Sequence, residues 1–121
     1  MKIYIGHSTK YDYKNLLYEP LLKSNLAEKH EFILPHASEA TFNSKEIIEQ
    51  ADLFIAEISE PSLGLGIEIG RAEMINKKIL CICNDENKIS SSIKYVDVDI
   101  IIYSSIKDMI NKIEEYLGNK F

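Results

Sequence analysis

Short apolar runs alternate along this chain with stretches of helical periodicity. Ile3-Tyr4-Ile5 is the first run. Residues 12–28 then carry Leu16, Leu17, Leu21, Leu22 and Leu26 at helical spacing, behind Asp12 as a candidate N-cap. Pro20 inside that pattern predicts a kinked or split helix, because proline lacks the N–H and crowds the preceding turn. Glu31-Phe32-Ile33-Leu34 predicts a second strand, stopped by Pro35, and residues 44–50 a short helix capped by Asn43 or Ser44. Leu53-Phe54-Ile55-Ala56 is apolar on both faces, as a central parallel strand should be. A helix over 64–76, a strand over 78–83 and another over 98–103 follow. A last helix over 105–117 has Gly118 as its expected stop.

Strands alternating with helices predict an α/β fold in three layers, a parallel sheet covered on both sides. Five strands in so short a chain fit a flavodoxin-like (Rossmann-like) five-stranded parallel sheet of order 2-1-3-4-5. In such sheets the ligand crevice opens at the carboxyl ends of the strands where the winding reverses, here between the first and third. The loops that flank it are Gly6 to Tyr13 and Ser59 to Gly66.

Composition narrows the partners. The 121 residues suit one domain spanning 1–121, and 45% hydrophobic with 27% charged residues is ordinary globular usage. The formal charge of −5, from 14 basic against 19 acidic residues without a basic block, argues against a nucleic-acid polymer as partner. One mononucleotide needs only a few local donors. No run of about 18 apolar residues occurs and the N-terminal run is too short for a signal-peptide core, so no membrane partner and a cytoplasmic location are expected. Cys81 and Cys83 are the only cysteines. Two apart on a strand they share a face, and they read as buried thiols packed as small hydrophobes. Two further metal ligands would have to lie nearby and none do, so neither metal nor other cofactor is expected.

The most informative stretch runs from Ala51 to Ala72. Pro61 and Ser62 lead into Gly64 and Gly66 at the start of a helix. Glycines there let backbone approach a ligand, and the helix N-terminus offers free N–H groups to an anion. The bland alternative is a glycine-rich connecting turn. Glu68 falls on the stripe of Leu65, Ile69, Ala72 and Ile75. A lone carboxylate there is costly to bury, and near a helix start its charge is attracted by the dipole. That makes Glu68 a candidate nucleophile or base, against the alternative of a carboxylate that merely caps or pairs. Ile67 and Met74 fall on the opposite face, where apolar residues suggest a second copy of the chain, a homodimer.

The motif Pro61-Ser62-Leu63-Gly64-Leu65-Gly66-Ile67-Glu68-Ile69-Gly70-Arg71-Ala72 resembles the nucleoside 2-deoxyribosyltransferase superfamily. It is most similar to the branch of 2′-deoxynucleoside 5′-phosphate N-hydrolases. Residues 51–83 carry the likeness, and Ile3-Tyr4-Ile5-Gly6 resembles the superfamily's opening strand. The resemblance implies a small-molecule nucleoside or nucleotide as partner and a glycosidic bond as target. It makes Glu68 the nucleophile at the anomeric carbon, as in a retaining glycosidase, and Tyr4 the hydroxyl that orients it. It places Ser62 at a phosphate-binding position, where the transferase branch has an aspartate. Ser91, within Ser90-Ser91-Ser92, lies where the hydrolases supply a phosphate-binding serine across a dimer interface.

Two departures stand out. The family's aspartate near sugar and base falls here on Ser44, and general acid help is typically worth about 10²–10⁴-fold. In the first loop, Gly6-His7-Ser8-Thr9-Lys10 replaces a Gly-Ser-x-Arg pattern, leaving Lys10 or His7 for the phosphate. His7 is also a candidate acid, since an unperturbed imidazole titrates near neutrality; the plainer alternative is a polar surface histidine. The leading expectation is cleavage or transfer at the N-glycosidic bond of a (deoxy)nucleoside or its 5′-monophosphate. Its rival is an inactive nucleotide-binding sensor or regulatory module of the same fold, supported by Ser44. A response-regulator-like signalling domain is disfavoured, because Gly6-His7-Ser8 holds no carboxylate.

Overall fold

The computed structural model describes residues 1–38 and 43–121. Five strands, β1 (Lys2–His7), β2 (Glu31–Ile33), β3 (Leu53–Glu57), β4 (Ile79–Cys83) and β5 (Asp99–Ile102), pair in parallel in the order β2-β1-β3-β4-β5. This is the expected order. Its register sets Ile3 against Leu53, Ile5 against Ile55, and Ile55 against Leu80.

Because strand side chains alternate, the sheet divides its apolar residues between two cores. Ile3, Ile5, Leu53, Ile55, Leu80 and Ile82 face one way. There they pack against Leu17, Leu21, Leu26, Met109, Ile113 and Leu117, from the segment after β1 and from α5 (Ile106–Lys120). Tyr4, Phe54, Ala56, Ile79, Cys81 and Cys83 face the other way, onto α3 (Ser44–Gln50) and α4 (Leu63–Met74). Cys81 and Cys83 share a buried face as free thiols, and burial pushes the Cys81 thiol up to about 12. Gly6 holds this second layer close. A Cβ on it would stand 2.6 Å from a ring carbon of Phe54 and 3.0 Å from Leu65 of α4. The glycine therefore serves packing between sheet and helix.

The segment after β1 differs from the single kinked helix expected over 12–28. A π-helical turn, Lys14–Tyr18, runs into α1 (Glu19–Lys23), and α2 (Leu26–Lys29) follows separately. Pro20 explains the wide turn: its ring crowds an ordinary i−4 carbonyl, and the Glu19 N–H bonds to Lys14 O, five residues back. The break comes later, at Ser24, whose backbone is extended and whose hydroxyl donates to Leu21 O. Asp12 does not cap the helix through its side chain; its carboxylate accepts the Asn15 side-chain amide. Leu16 and Leu22 point outward while Leu17, Leu21 and Leu26 are buried. At the other end, α5 runs through Gly118 to Lys120, so that glycine does not stop it. Ile75, expected on the buried stripe of α4, is exposed beyond the helix end.

Candidate active site

The carboxyl end of β1 and the start of α4 meet over a cleft of about 520 Å³. It is lined by His7, Thr9, His36, Ser44, Ser62, Gly64, Leu65, Ile67, Glu68 and Arg71. The location is the one the strand order predicts.

Glu68 is half-buried in the second turn of α4, one turn deeper than a helix-dipole argument requires. What holds it is Tyr4. The Tyr4 hydroxyl, on the α4 side of β1, donates to Glu68 Oε2 at 2.7 Å. Burial first, then the bonded carboxylate, push the Tyr4 phenol well above its ordinary range, so it stays a proton donor. The Ser44 side chain lies near the same phenol and acts in the opposite direction. Tyr4, Glu68 and Ser44 thus form one polar cluster drawn from β1, α4 and α3. Tyr4 also packs edge-on to Phe54, with ring centroids 5.2 Å apart, which fixes the phenol.

Ser62 is the N-cap of α4. Its side-chain oxygen accepts from Leu65 N at 3.3 Å, and its backbone carbonyl from Gly66 N. Its side chain lies at the cleft, so a helix cap and a candidate anion contact coincide in one residue.

His7 is buried, 5% exposed, which corrects the surface reading of that residue. Its Nδ1–H donates to the Ser8 carbonyl at 2.9 Å, and its Nε2 accepts from the Tyr18 hydroxyl at 2.7 Å. This is one neutral tautomer, since a carbonyl can only accept. Burial holds the imidazole below its usual range. Both nitrogens are engaged, so His7 is poorly placed to supply a proton. Tyr13 stacks on it at 4.3 Å, and the rings of Tyr18 and His36 stand 5.1 and 5.2 Å away. These aromatic rings make one wall beside the cleft.

The other expected site residues lie apart from these. Gly6 is under Phe54. Ser8 is buried and its oxygen accepts from Lys10 N. Lys10 and Gly66 are exposed and do not line the cleft. Ser91 is exposed on a 3₁₀ turn (Ser91–Tyr95) after β4, capped by Ser90, and does not line the cleft of its own chain.

Three lining residues had no assigned role from sequence: Thr9, His36 and Arg71. Arg71 was readable, because it lies one turn from Glu68 on the same helix. His36 sits in an aperiodic stretch after Pro35, and only the fold brings it to His7. Its ring is exposed and makes no hydrogen bond among the described residues, though its backbone N–H donates to Tyr18 Oη.

No family model matches the chain. A human 5-hydroxymethyl-dUMP N-hydrolase is 54% identical over 37 residues, 31% of this chain and 21% of that protein. The enzyme of the same name from Danio rerio is 33% identical over 72 residues, 58% of this chain and 48% of its own length. The match thus spans about half of that relative's length or less. Among solved structures, a CMP N-glycosidase of Clostridium botulinum superposes with a TM-score of 0.74. It covers 96% of this chain and 99% of its own at 24% identity, which establishes a shared fold. By sequence, then, the chain is similar to 5-hydroxymethyl-dUMP N-hydrolases over part of their length, and it shares its fold with a CMP N-glycosidase.

Proposed function

We propose that the protein hydrolyses the N-glycosidic bond of a nucleoside 5′-monophosphate with Glu68 as nucleophile. The observation that carries this reading is the Tyr4–Glu68 hydrogen bond set in the wall of the cleft. Tyr4 engages Oε2, and Oε1 has no partner among the described residues. In the proposed reaction one carboxylate oxygen attacks C1′ of the sugar, the C1′–N bond breaks, and its electron pair leaves with the base. Water then cleaves the glycosyl ester, giving sugar 5-phosphate and regenerating Glu68. Ser62 and the exposed N–H groups at the start of α4 supply donors for the phosphate, and Arg71 adds a positive charge beside them.

Proton delivery to the base falls to the side of the cleft that holds Ser44 and His36. Ser44 carries no acid, and the two nitrogens of His7 are occupied. His36 is the titratable ring left open to solvent there. We also propose a homodimer through the apolar band of Leu63, Ile67, Met74 and Ile75, exposed by 84, 47, 81 and 44%. The band borders a groove of about 440 Å³ between α3 and α4. A second copy seated there is the arrangement in which Ser91 could serve a neighbour's cleft. No helix among the described residues is long and apolar enough to cross a membrane, and the free thiols suit a reducing cytoplasm.

Incubation with a panel of ribo- and deoxyribonucleoside 5′-monophosphates, including CMP and 5-hydroxymethyl-dUMP, tests the activity by chromatography of free base. Release by the wild type and not by Glu68→Gln supports the nucleophile. The second reading, a nucleotide sensor, rests on the serine at position 44; it predicts saturable nucleotide binding without base release.

A further inference from the structure

On the face of the sheet away from α4, a buried carboxylate has no part in the reaction above. Glu57 ends β3 and is 1% exposed. No Lys or Arg pairs with it among the described residues; Lys88 attracts it only from a distance. Instead its Oε1 accepts the Ser59 backbone N–H and its Oε2 accepts the Tyr103 hydroxyl. The Tyr103 and Tyr11 hydroxyls are hydrogen-bonded at 2.8 Å. The Asn84 side chain lies near Tyr11, and the Asn84 backbone N–H donates to Ser59 Oγ at 2.9 Å. Tyr11, Tyr103, Glu57, Ser59 and Asn84 therefore form a continuous chain of hydrogen bonds across the carboxyl ends of β3, β4 and β5, with the Asn84 side chain near Tyr11 at its other end.

The chain of bonds includes one residue from each loop that flanks the cleft. Tyr11 belongs to the loop that carries His7 and Thr9, and Ser59 to the loop that leads to Ser62. A buried carboxylate costs desolvation, and apolar residues of similar volume would serve stability at least as well. What a fully satisfied polar network adds is one fixed arrangement. We propose that Glu57 is a positioning residue: by gripping Ser59 directly and Tyr11 through Tyr103, it sets the spacing of the two loops and so the width of the nucleotide cleft between them. The kinetic part of this inference rests on the N-hydrolase reading; the structural part does not.

The test compares wild type with Tyr103→Phe, Glu57→Ala and Glu57→Gln in the full chain. Tyr103→Phe keeps the ring in its core and cuts the link to both Glu57 and Tyr11. Amide hydrogen exchange in Tyr103→Phe and Glu57→Ala is expected to accelerate in residues 8–13 and 58–62 together, with α5 unchanged. Glu57→Gln retains an acceptor for Ser59 and a donor for Tyr103, and should restore most of the protection. With 5-hydroxymethyl-dUMP as substrate, KM rises by up to about a hundredfold in Tyr103→Phe, since misplacing binding groups remotely can cost that much, while kcat stays within about threefold. Acceleration confined to one loop, or none, overturns the inference, as does a fall in kcat with KM unmoved. If the wild type releases no base, the proposed function falls, and the exchange pattern alone decides the role of Glu57. Should Glu57→Ala not fold, Tyr103→Phe and Glu57→Gln still give the comparison.

Discussion

Tyr4 and Glu68 lie 64 positions apart in sequence and 2.7 Å apart in space, joined by a hydrogen bond from the phenol to one carboxylate oxygen. The bond runs from the innermost layer of the sheet to the second turn of α4, and the edge-on contact with Phe54 leaves the phenol little freedom. A carboxylate so tethered keeps one oxygen occupied and presents the other.

Tyr4→Phe removes only that donor. Hydrogen bonds to charged groups are worth about 1.5–3 kcal/mol, so kcat for base release is expected to fall roughly ten- to a hundredfold. The ring remains in its core, so the fold is kept, and the melting temperature should fall only by the several degrees that losing one such bond implies. Steady-state kinetics beside a thermal melt would check both; an unchanged kcat would remove Tyr4 from the mechanism.

At Gly6 the expectation is structural. A methyl group there meets the Phe54 ring at 2.6 Å and Leu65 at 3.0 Å, so Gly6→Ala overpacks the contact between β1 and α4. Such insertions cost about 1–3 kcal/mol, measurable as a lower urea midpoint. Unaltered stability would mean that Phe54 can move aside.

Ser44→Asp places a carboxyl group near the Tyr4 phenol, at the position where the resemblance read from the sequence expects one. Base release should rise, with about 10²–10⁴-fold as the usual range for general acid help. A loss of activity would indicate that a second charge near Glu68 disturbs the nucleophile more than it aids the leaving group.

Stability should depend on pH through Glu57. Burial raises its carboxyl above the ordinary range, and the bonds from Tyr103 and Ser59 offset that only in part. The folded protein therefore binds this proton more tightly than the unfolded chain. The associated stability is complete below the unfolded value of about 4.3 and is lost as pH rises through the folded value. Denaturant titrations of wild type and Glu57→Gln across that range should differ in slope, with the variant flatter.

His7 acts in the opposite sense. Burial depresses its imidazole, so its contribution is present above the unfolded value of about 6.5 and is lost as pH falls through the lower folded value. His7→Gln should weaken the destabilisation on that acid side. Equal slopes in variant and wild type would mean that the ring charges without cost.

The strand order was legible because apolar runs separated by helical periodicity leave few ways to bury both faces of a sheet. The place of Glu68 at the cleft was legible because an acid on an apolar stripe needs a reason. Glu57 was not: a charged residue closing an apolar run looks like a strand reaching solvent, and its partners Tyr11 and Tyr103 are distant in sequence. The π-helical turn was hidden for a different cause. Leu16, Leu17, Leu21 and Leu22 read as one stripe at 3.6 residues per turn, but the wider turn ahead of Pro20 rotates Leu16 and Leu22 into solvent.

Arg71 and Ile67 line the cleft beside Glu68 and also the groove between α3 and α4. Whatever fills the groove touches two side chains of the cleft, and whatever fills the cleft restrains two walls of the groove. Where filling one cavity alters the affinity of the other, linkage requires that the same factor be returned in equal measure. In a homodimer built on that groove, such coupling would let a ligand of the cleft tune assembly, and assembly tune the grip on that ligand.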